Sequence, residues 1–172
     1  YWISESLQNV LDVTVPLSAA TADEAYDRIA DQLATPELRP RALFERFGIE
    51  VLATTDDPLD DLAGHAALAA EGAVGRVLPT FRPDRYLDPD AAGFAQNVER
   101  LVAETGSPGT FAGYLAALEQ RRRYFIEHGA VSADHGVEVP DTLDLAPEEG
   151  EGLFARVVSG DADAGELSLI HI

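Results

Sequence analysis

Three short polar runs hold the residues with the most chemical reach in this chain: Thr54-Thr-Asp-Asp-Pro58, Phe81-Arg-Pro-Asp84 and Ser132-Ala-Asp-His-Gly136. In the first, the adjacent carboxylates Asp56 and Asp57 can move a proton or accept hydrogen bonds from a hydroxylated ligand, with Thr54 and Thr55 beside them. Asp57 followed by Pro58 also reads as a plain helix start, which accounts for part of the run. In the second, Arg82 offers a planar, permanently charged fork suited to a carboxylate ligand. Asp84 is then a further polar contact or, in the simpler reading, the ion-pair partner of Arg82 across Pro83. In the third, Asp134 and His135 can do acid-base work or support it, against the alternative of a histidine held only for structural reasons.

The remaining ionisable groups read as structural. His65 falls within a helical stretch and is expected on its surface, and Arg121-Arg-Arg123 is expected to be a solvated helix face. His128 precedes Gly129, where attraction to a helix C-terminus explains it. No His-x-His, His-Glu-x-x-His, Gly-x-Gly-x-x-Gly, phosphate loop or Gly-x-Ser-x-Gly occurs, so the residues support no self-contained metal, nucleotide or serine-hydrolase site.

The three runs gain weight from the elements that precede them. Ile49-Glu-Val-Leu-Ala-Thr-Thr55, Arg76-Val-Leu-Pro-Thr-Phe81 and Ala130-Val-Ser-Ala-Asp-His135 are short, rich in β-branched residues and bounded by turn formers. Each predicts a strand; the first is expected to be buried, and Pro79 makes the pairing of the second irregular. Helices are predicted between them: from Leu59 to Glu71, capped by Asp57; after Asp88-Pro89, through Phe94, Val98, Leu101 and Val102; and through Phe111, Tyr114, Leu118 and Phe125 to Gly129. A last helix runs from Pro147 to Gly160. Upstream, Thr21-Ala-Asp-Glu24 has capping-box spacing ahead of an amphipathic helix, and a short helix over Pro40 to Phe47 stops at Gly48. Strands alternating with crossover helices make an α/β fold with a parallel sheet, in which sites form where strand C-termini meet the following loops. Three strands suit either part of a barrel or a small open sheet.

Composition narrows the function classes. The 172 residues carry 31 acidic and 12 basic side chains, a net charge of -19, and every basic residue is an arginine. A field of that sign repels phosphate backbones and anionic lipid, which argues against nucleic-acid and membrane-surface partners. Without cysteine there is neither disulfide nor thiolate ligand, which suits a cytoplasmic protein. Residues 1–166 read as one domain whose start at Tyr1 falls inside a connecting segment, so an upstream part is expected. Leu167 to Ile172, with His171, follow a polar stretch as an apolar run without turn logic and read as a non-native tail.

Taken together, Leu38 to Leu62 with its Thr54-Thr-Asp-Asp-Pro58, then Val77-Leu-Pro-Thr-Phe-Arg-Pro-Asp84, then His128-Gly-Ala-Val-Ser-Ala-Asp-His-Gly136 resemble the uronate isomerases in content, order and spacing, over about residues 6–160. The resemblance implies an amidohydrolase-like (β/α)8 barrel, of which the three strands here are the second, third and fourth. It implies an aldose-ketose isomerase interconverting D-glucuronate with D-fructuronate and D-galacturonate with D-tagaturonate, in a parent that is a candidate homo-oligomer. A divalent metal, zinc by the same resemblance, is implied with its ligands outside this chain: a His-x-His upstream of Tyr1, and further His and Asp downstream of Glu166. Arg82 matches the arginine of the family's Arg-Pro-Asp motif and is expected to contact the uronate, with Asp84, Thr54 and Thr55 nearby. Asp56, Asp57, Asp134 and His135 remain catalytic candidates without assigned roles. The chain alone is expected to be inactive. The competing readings are a metal-dependent hydrolase of the same superfamily and an acidic α/β interaction module.

Overall fold

The computed structural model describes residues 1–72, 75–136 and 145–162, and the run Leu167 to Ile172 lies outside them. The chain divides into two compact units, Tyr1–Glu50 and Val51–Ile172.

The first unit is helical. It opens with α1 (Trp2–Leu11), where the sequence reading expected a connecting segment, and continues through α2 (Ala22–Leu33), a 3-10 turn at Pro36–Leu38 and α3 (Pro40–Arg46). Asp12 ends α1 in the left-handed conformation and pairs with Arg28 of α2, while Arg46 of α3 donates to the Asn9 carbonyl at 2.8 Å. The capping box expected at Thr21 does not form. Its hydroxyl serves the preceding turn instead, donating to Pro16 O and accepting from Ser18 N. Of the apolar face on α2 only Ala25 is buried, and Tyr26 stays 72% exposed.

The second unit holds the sheet and its helices: β1 (Val51–Ala53), α4 (Ala63–Ala70), β2 (Arg76–Leu78), β3 (Thr80–Phe81), the short α5 (Asp84–Leu87), α6 (Phe94–Thr105), α7 (Phe111–Glu127), β4 (Ser132–Ala133) and α8 (Pro147–Ser159). β1 pairs in parallel with β2, and β3 in parallel with β4. Pro79 lies between β2 and β3; its missing N–H falls on the β4 side, while Leu78 and Thr80 turn their backbone groups to β1. Pairing resumes beyond it, with Asp56 N donating to Thr80 O and Arg82 N to Asp56 O, both at 3.1 Å. The three predicted strands therefore lie side by side in sequence order in a mixed α/β unit with parallel strands. Contrary to expectation β1 is not buried: Val51 and Leu52 are 43% and 44% exposed.

Two helices begin later than their proline signals indicated. Asp57 Oδ1 accepts from Leu59 N, Asp60 Oδ1 from Leu62 N and Asp61 Oδ1 from Ala63 N, so consecutive aspartate turns hold the backbone until α4 starts at Ala63. Asp88 likewise accepts from Asp90 N, and α6 starts only at Phe94, after Gly93. Packing gathers on two clusters. Tyr86, Leu101, Tyr114, Phe154 and their neighbours join α5, α6, α7 and α8, while Leu62, Phe81 and Phe125 tie β3 to α7 through an edge-to-face ring contact at 5.2 Å. No helix among the described residues is long and apolar enough to cross a membrane.

α7 enters under Pro108, with Thr110 Oγ1 accepting from Gly113 N at 3.1 Å, and a Cβ on Gly113 would overlap the Pro108 carbonyl. Gly113→Ala should lower unfolding stability by about 1–3 kcal/mol through overpacking, despite a helix-propensity gain of roughly 1 kcal/mol. Gly109, where an added Cβ meets nothing within 4 Å, is the control, and Gly109→Ala should melt as the parent does. Urea or thermal unfolding of both variants checks this.

Candidate active site

Strand register sorts the candidate residues onto two faces of the sheet. In a parallel ladder paired residues share a face and successive residues alternate. Asp56 pairs with Phe81, and Phe81 with Ala133. Phe81 packs on Phe125 of α7, so this is the helix-side face, and Thr54 and Asp56 belong to it by alternation. His135 shares it, lining a cavity of about 380 Å³ with Phe81 and the α7 residues Leu115, Leu118, Glu119 and Arg122. The opposite face carries Thr55, Thr80, Ser132, Arg82 and Asp134. Thr80 and Ser132 face each other across the ladder with their hydroxyl oxygens 3.1 Å apart.

On this second face Arg82 is held from two sides. Its Nε donates to Asp84 Oδ2 at 3.0 Å, and its Nη1 stands 3.6 Å from Asp134 Oδ2, beyond a good hydrogen bond. Nη2 has no protein partner among the described residues, so the end of the guanidinium fork remains available. Partial burial pushes the Asp84 carboxyl up, but the Gly136 N–H and the Arg82 guanidinium donating to it outweigh that, and the net effect holds it below the usual carboxylate range. Asp84 thus ties the Arg82 head to the loop after β4.

Asp57 is more heavily engaged. Its Oδ1 accepts from Tyr86 OH and Leu59 N, both at 2.9 Å, and its Oδ2 is 3.0 Å from Arg85 Nε. Burial and this carboxylate raise the Tyr86 phenol far above its ordinary range, so it remains a donor. Tyr114 OH donates to Tyr86 O at 2.7 Å, linking the loop after β1 to the helical core.

Two residues differ from their sequence reading. His65, expected on the helix surface, has a side chain only 15% exposed, and its Nε2 lies 2.8 Å from Thr54 Oγ1 and 3.8 Å from Asp56 Oδ1. The delayed start of α4 causes this, because it turns the first helical residues back over the strand end. Arg121, expected in solvent, donates to the Pro58 and Asp60 carbonyls at 2.5 and 2.9 Å and lies over the Tyr124 ring. Arg122 and Arg123, the latter paired with Glu119 one turn away, keep the expected exposed role. His65 follows Gly64 in an alanine-rich stretch, and the one sequence signal available was its position eleven residues after Thr54.

Comparison with known proteins decides the family. A family model described as glucuronate isomerase matches residues 1–168. The chain belongs to the glucuronate isomerase family. It is 50% identical to a uronate isomerase of Rhizorhabdus wittichii over 99% of this chain, and 46% identical to one of Corynebacterium efficiens over 97%. It covers only 37% and 36% of those proteins. The crystal structure of glucuronate isomerase from Caulobacter crescentus superimposes with a TM-score of 0.89 at 39% identity, over 99% of this chain and 36% of that one. A uronate isomerase structure from Thermotoga maritima gives 0.88 at 29% identity, over 97% of this chain and 37% of that one. The resemblance read from the three polar runs is therefore correct at the level of family.

A divalent metal is a further implication of that resemblance. No three His, Asp or Glu side chains among the described residues converge as a ligand set, and the carboxylates at the strand ends are already engaged by Arg82, Arg85, Thr54 and backbone donors. The described residues do not fit a metal on their own, and no chemical step is derived through one.

Because the folded state holds Asp84 below its usual range, it contributes stability that is fully present above the unfolded carboxylate value near pH 4. That contribution is lost as pH falls through the lower folded value. The stability difference between the parent and Asp84→Asn should be constant above about pH 5 and shrink below about pH 4. Denaturant titrations of both proteins from pH 7 to pH 2.5 measure it.

Proposed function

We propose that this chain supplies the second to fourth strands of a (β/α)8 barrel in a uronate isomerase, and that its open polar face binds the substrate. The activity proposed for the whole protein is interconversion of D-glucuronate with D-fructuronate and of D-galacturonate with D-tagaturonate. Membership in the family supports the reaction class. The observation that carries the site is the Arg82 guanidinium, braced through Nε by Asp84 at the end of β3 while Nη2 has no partner among the described residues.

A uronate is an anion entering a protein with a net charge of -19, so its carboxylate needs a local cation with fixed geometry. Asp84 fixes the plane of the fork, and the 3.6 Å separation from Asp134 leaves the Nη1 and Nη2 end to be taken by a closer, charge-assisted pair. Thr55 and Ser132, exposed on the same face one layer below, present hydroxyls of the kind that match a sugar chain, and buried Thr80 backs Ser132 at 3.1 Å. The isomerisation removes the C2 proton next to the aldehyde and returns a proton to C1 through an enediol. Holding the remote carboxylate at Arg82 anchors the substrate with C1 and C2 at its opposite end.

The alternative use of Arg82 as a plain ion-pair partner rests on the same 3.0 Å contact with Asp84, and substitution separates the two. In the full-length enzyme Arg82→Met should lower kcat/KM on D-glucuronate by one to two decades, from a charge-assisted interaction worth about 1.5–3 kcal/mol, with the melting temperature nearly unchanged. Arg82→Lys should recover only part of the loss, since an ammonium keeps the charge but not the planar fork. Normal turnover by Arg82→Met, or a loss that follows melting of the protein, would assign Arg82 to structure alone.

A further inference from the structure

The polar groups on the helix side of the sheet form a chain that the substrate-binding face does not use directly. Thr54 Oγ1 lies 2.7 Å from Asp56 Oδ2, 2.8 Å from His65 Nε2 and 3.2 Å from Leu78 O. A hydroxyl has one proton, and both the ionised carboxylate and the carbonyl are acceptors, so that proton points to them and the hydroxyl lone pair faces the imidazole. His65 must therefore donate from Nε2–H. The order of donation is His65 to Thr54 to Asp56.

Asp56 is the end of this chain and the beginning of another. Its Oδ2 also accepts the N–H of Thr80, the residue after Pro79, at 3.1 Å. Its own N–H and carbonyl close on Thr80 O and Arg82 N, both at 3.1 Å. Three hydrogen bonds from one residue thus set the backbone between Thr80 and Arg82, the segment that aims the Arg82 side chain. Of the three groups only the Asp56 side-chain oxygen is free to swing, and Thr54, oriented by His65, is what holds it.

We infer that His65 is a positioning residue: acting through Thr54 and Asp56, it fixes the strand end from which Arg82 reaches the substrate carboxylate. This rests on the proposed role of Arg82 and adds a residue to that same site, on the far side of the sheet. A positioning defect of this kind weakens substrate capture more than turnover, because the reacting carbons are remote from the carboxylate.

The test is made in the full-length protein with three variants, His65→Ala, His65→Gln and Thr54→Val, and the double variant His65→Ala/Thr54→Val. His65→Ala should raise KM for D-glucuronate roughly tenfold while kcat stays within about twofold. His65→Gln, whose amide N–H reaches the place of Nε2–H, should return KM to within about threefold of the parent. In urea unfolding, the double variant should be no less stable than the weaker single variant, as expected for residues acting in one chain. An unchanged KM in His65→Ala overturns the inference, as does a loss of activity that follows the unfolded fraction and is not rescued by glutamine, or a stability loss in the double variant equal to the sum of the singles. A parent enzyme that turns over no uronate overturns the proposed function instead, and the additivity measurement alone then decides the chain of hydrogen bonds.

Discussion

The arrangement of the second unit turns on how Asp56 holds the strand beyond Pro79 in register. Proline removes one backbone donor on the β4 side of the central predicted strand, and on the β1 side the Thr80 N–H turns from the backbone ladder to the Asp56 carboxylate. Asp56 supplies a side-chain acceptor for Thr80 N and then resumes backbone pairing with Thr80 O and Arg82 N. The register on both sides of the proline is the same: Ala53 pairs with Leu78, and Asp56 with Phe81. Everything that depends on which residues face which side follows from that. Phe81 meets Phe125, Arg82 lies beside Asp134, and Thr80 sits opposite Ser132.

Charge is used in an unusual way in a chain this acidic. Arginine, as the only basic residue type, serves as a clamp on backbone and loops as often as a surface charge. Arg121 gathers the Pro58 and Asp60 carbonyls, Arg46 the Asn9 carbonyl, and Arg85 the Asp57 carboxylate. The aspartates work in the same way from the other side. Asp57, Asp60, Asp61 and Asp88 each accept a backbone N–H two residues ahead, and this shapes the loops after the strand ends more than any helix propensity does. A site that binds an anion in this setting depends on a few arginines whose forks are not wholly consumed, and Arg82 is one.

The order of elements was legible because strands and helices differ in period and are punctuated by Gly, Pro and Asp. The ends of α7 and α8 at Gly129 and Gly160, both with positive φ, fall where the sequence placed them. Helix starts were less legible. The Asp57-Pro58 and Asp88-Pro89 pairs look like helix caps, yet the aspartates that follow offer competing local turns, and α4 and α6 begin five residues beyond each proline. α1 was missed although Ile3, Leu7, Val10 and Leu11 recur at helical spacing, because the start of the chain was read as a connecting segment; Leu7, Val10 and Leu11 are half-buried, while Trp2 and Ile3 are exposed.

Residue types and spacing alone determined the alternation of strands and helices and the three strand-end runs in which a site was to be sought, and it was the resemblance of those runs to a known family that pointed to the family the comparisons show. Those properties are local: each depends on side-chain period, turn chemistry or a short motif. Only the tertiary structure decided that these runs divide between two faces, with Thr54, Asp56 and His135 toward the helices and Thr55, Arg82 and Asp134 on the open side. It also brought His65 against Thr54 and set Arg121 on the loop after β1. Pairing register and the rotation of a helix over a strand end are set by tertiary contacts, which local period and turn chemistry do not specify.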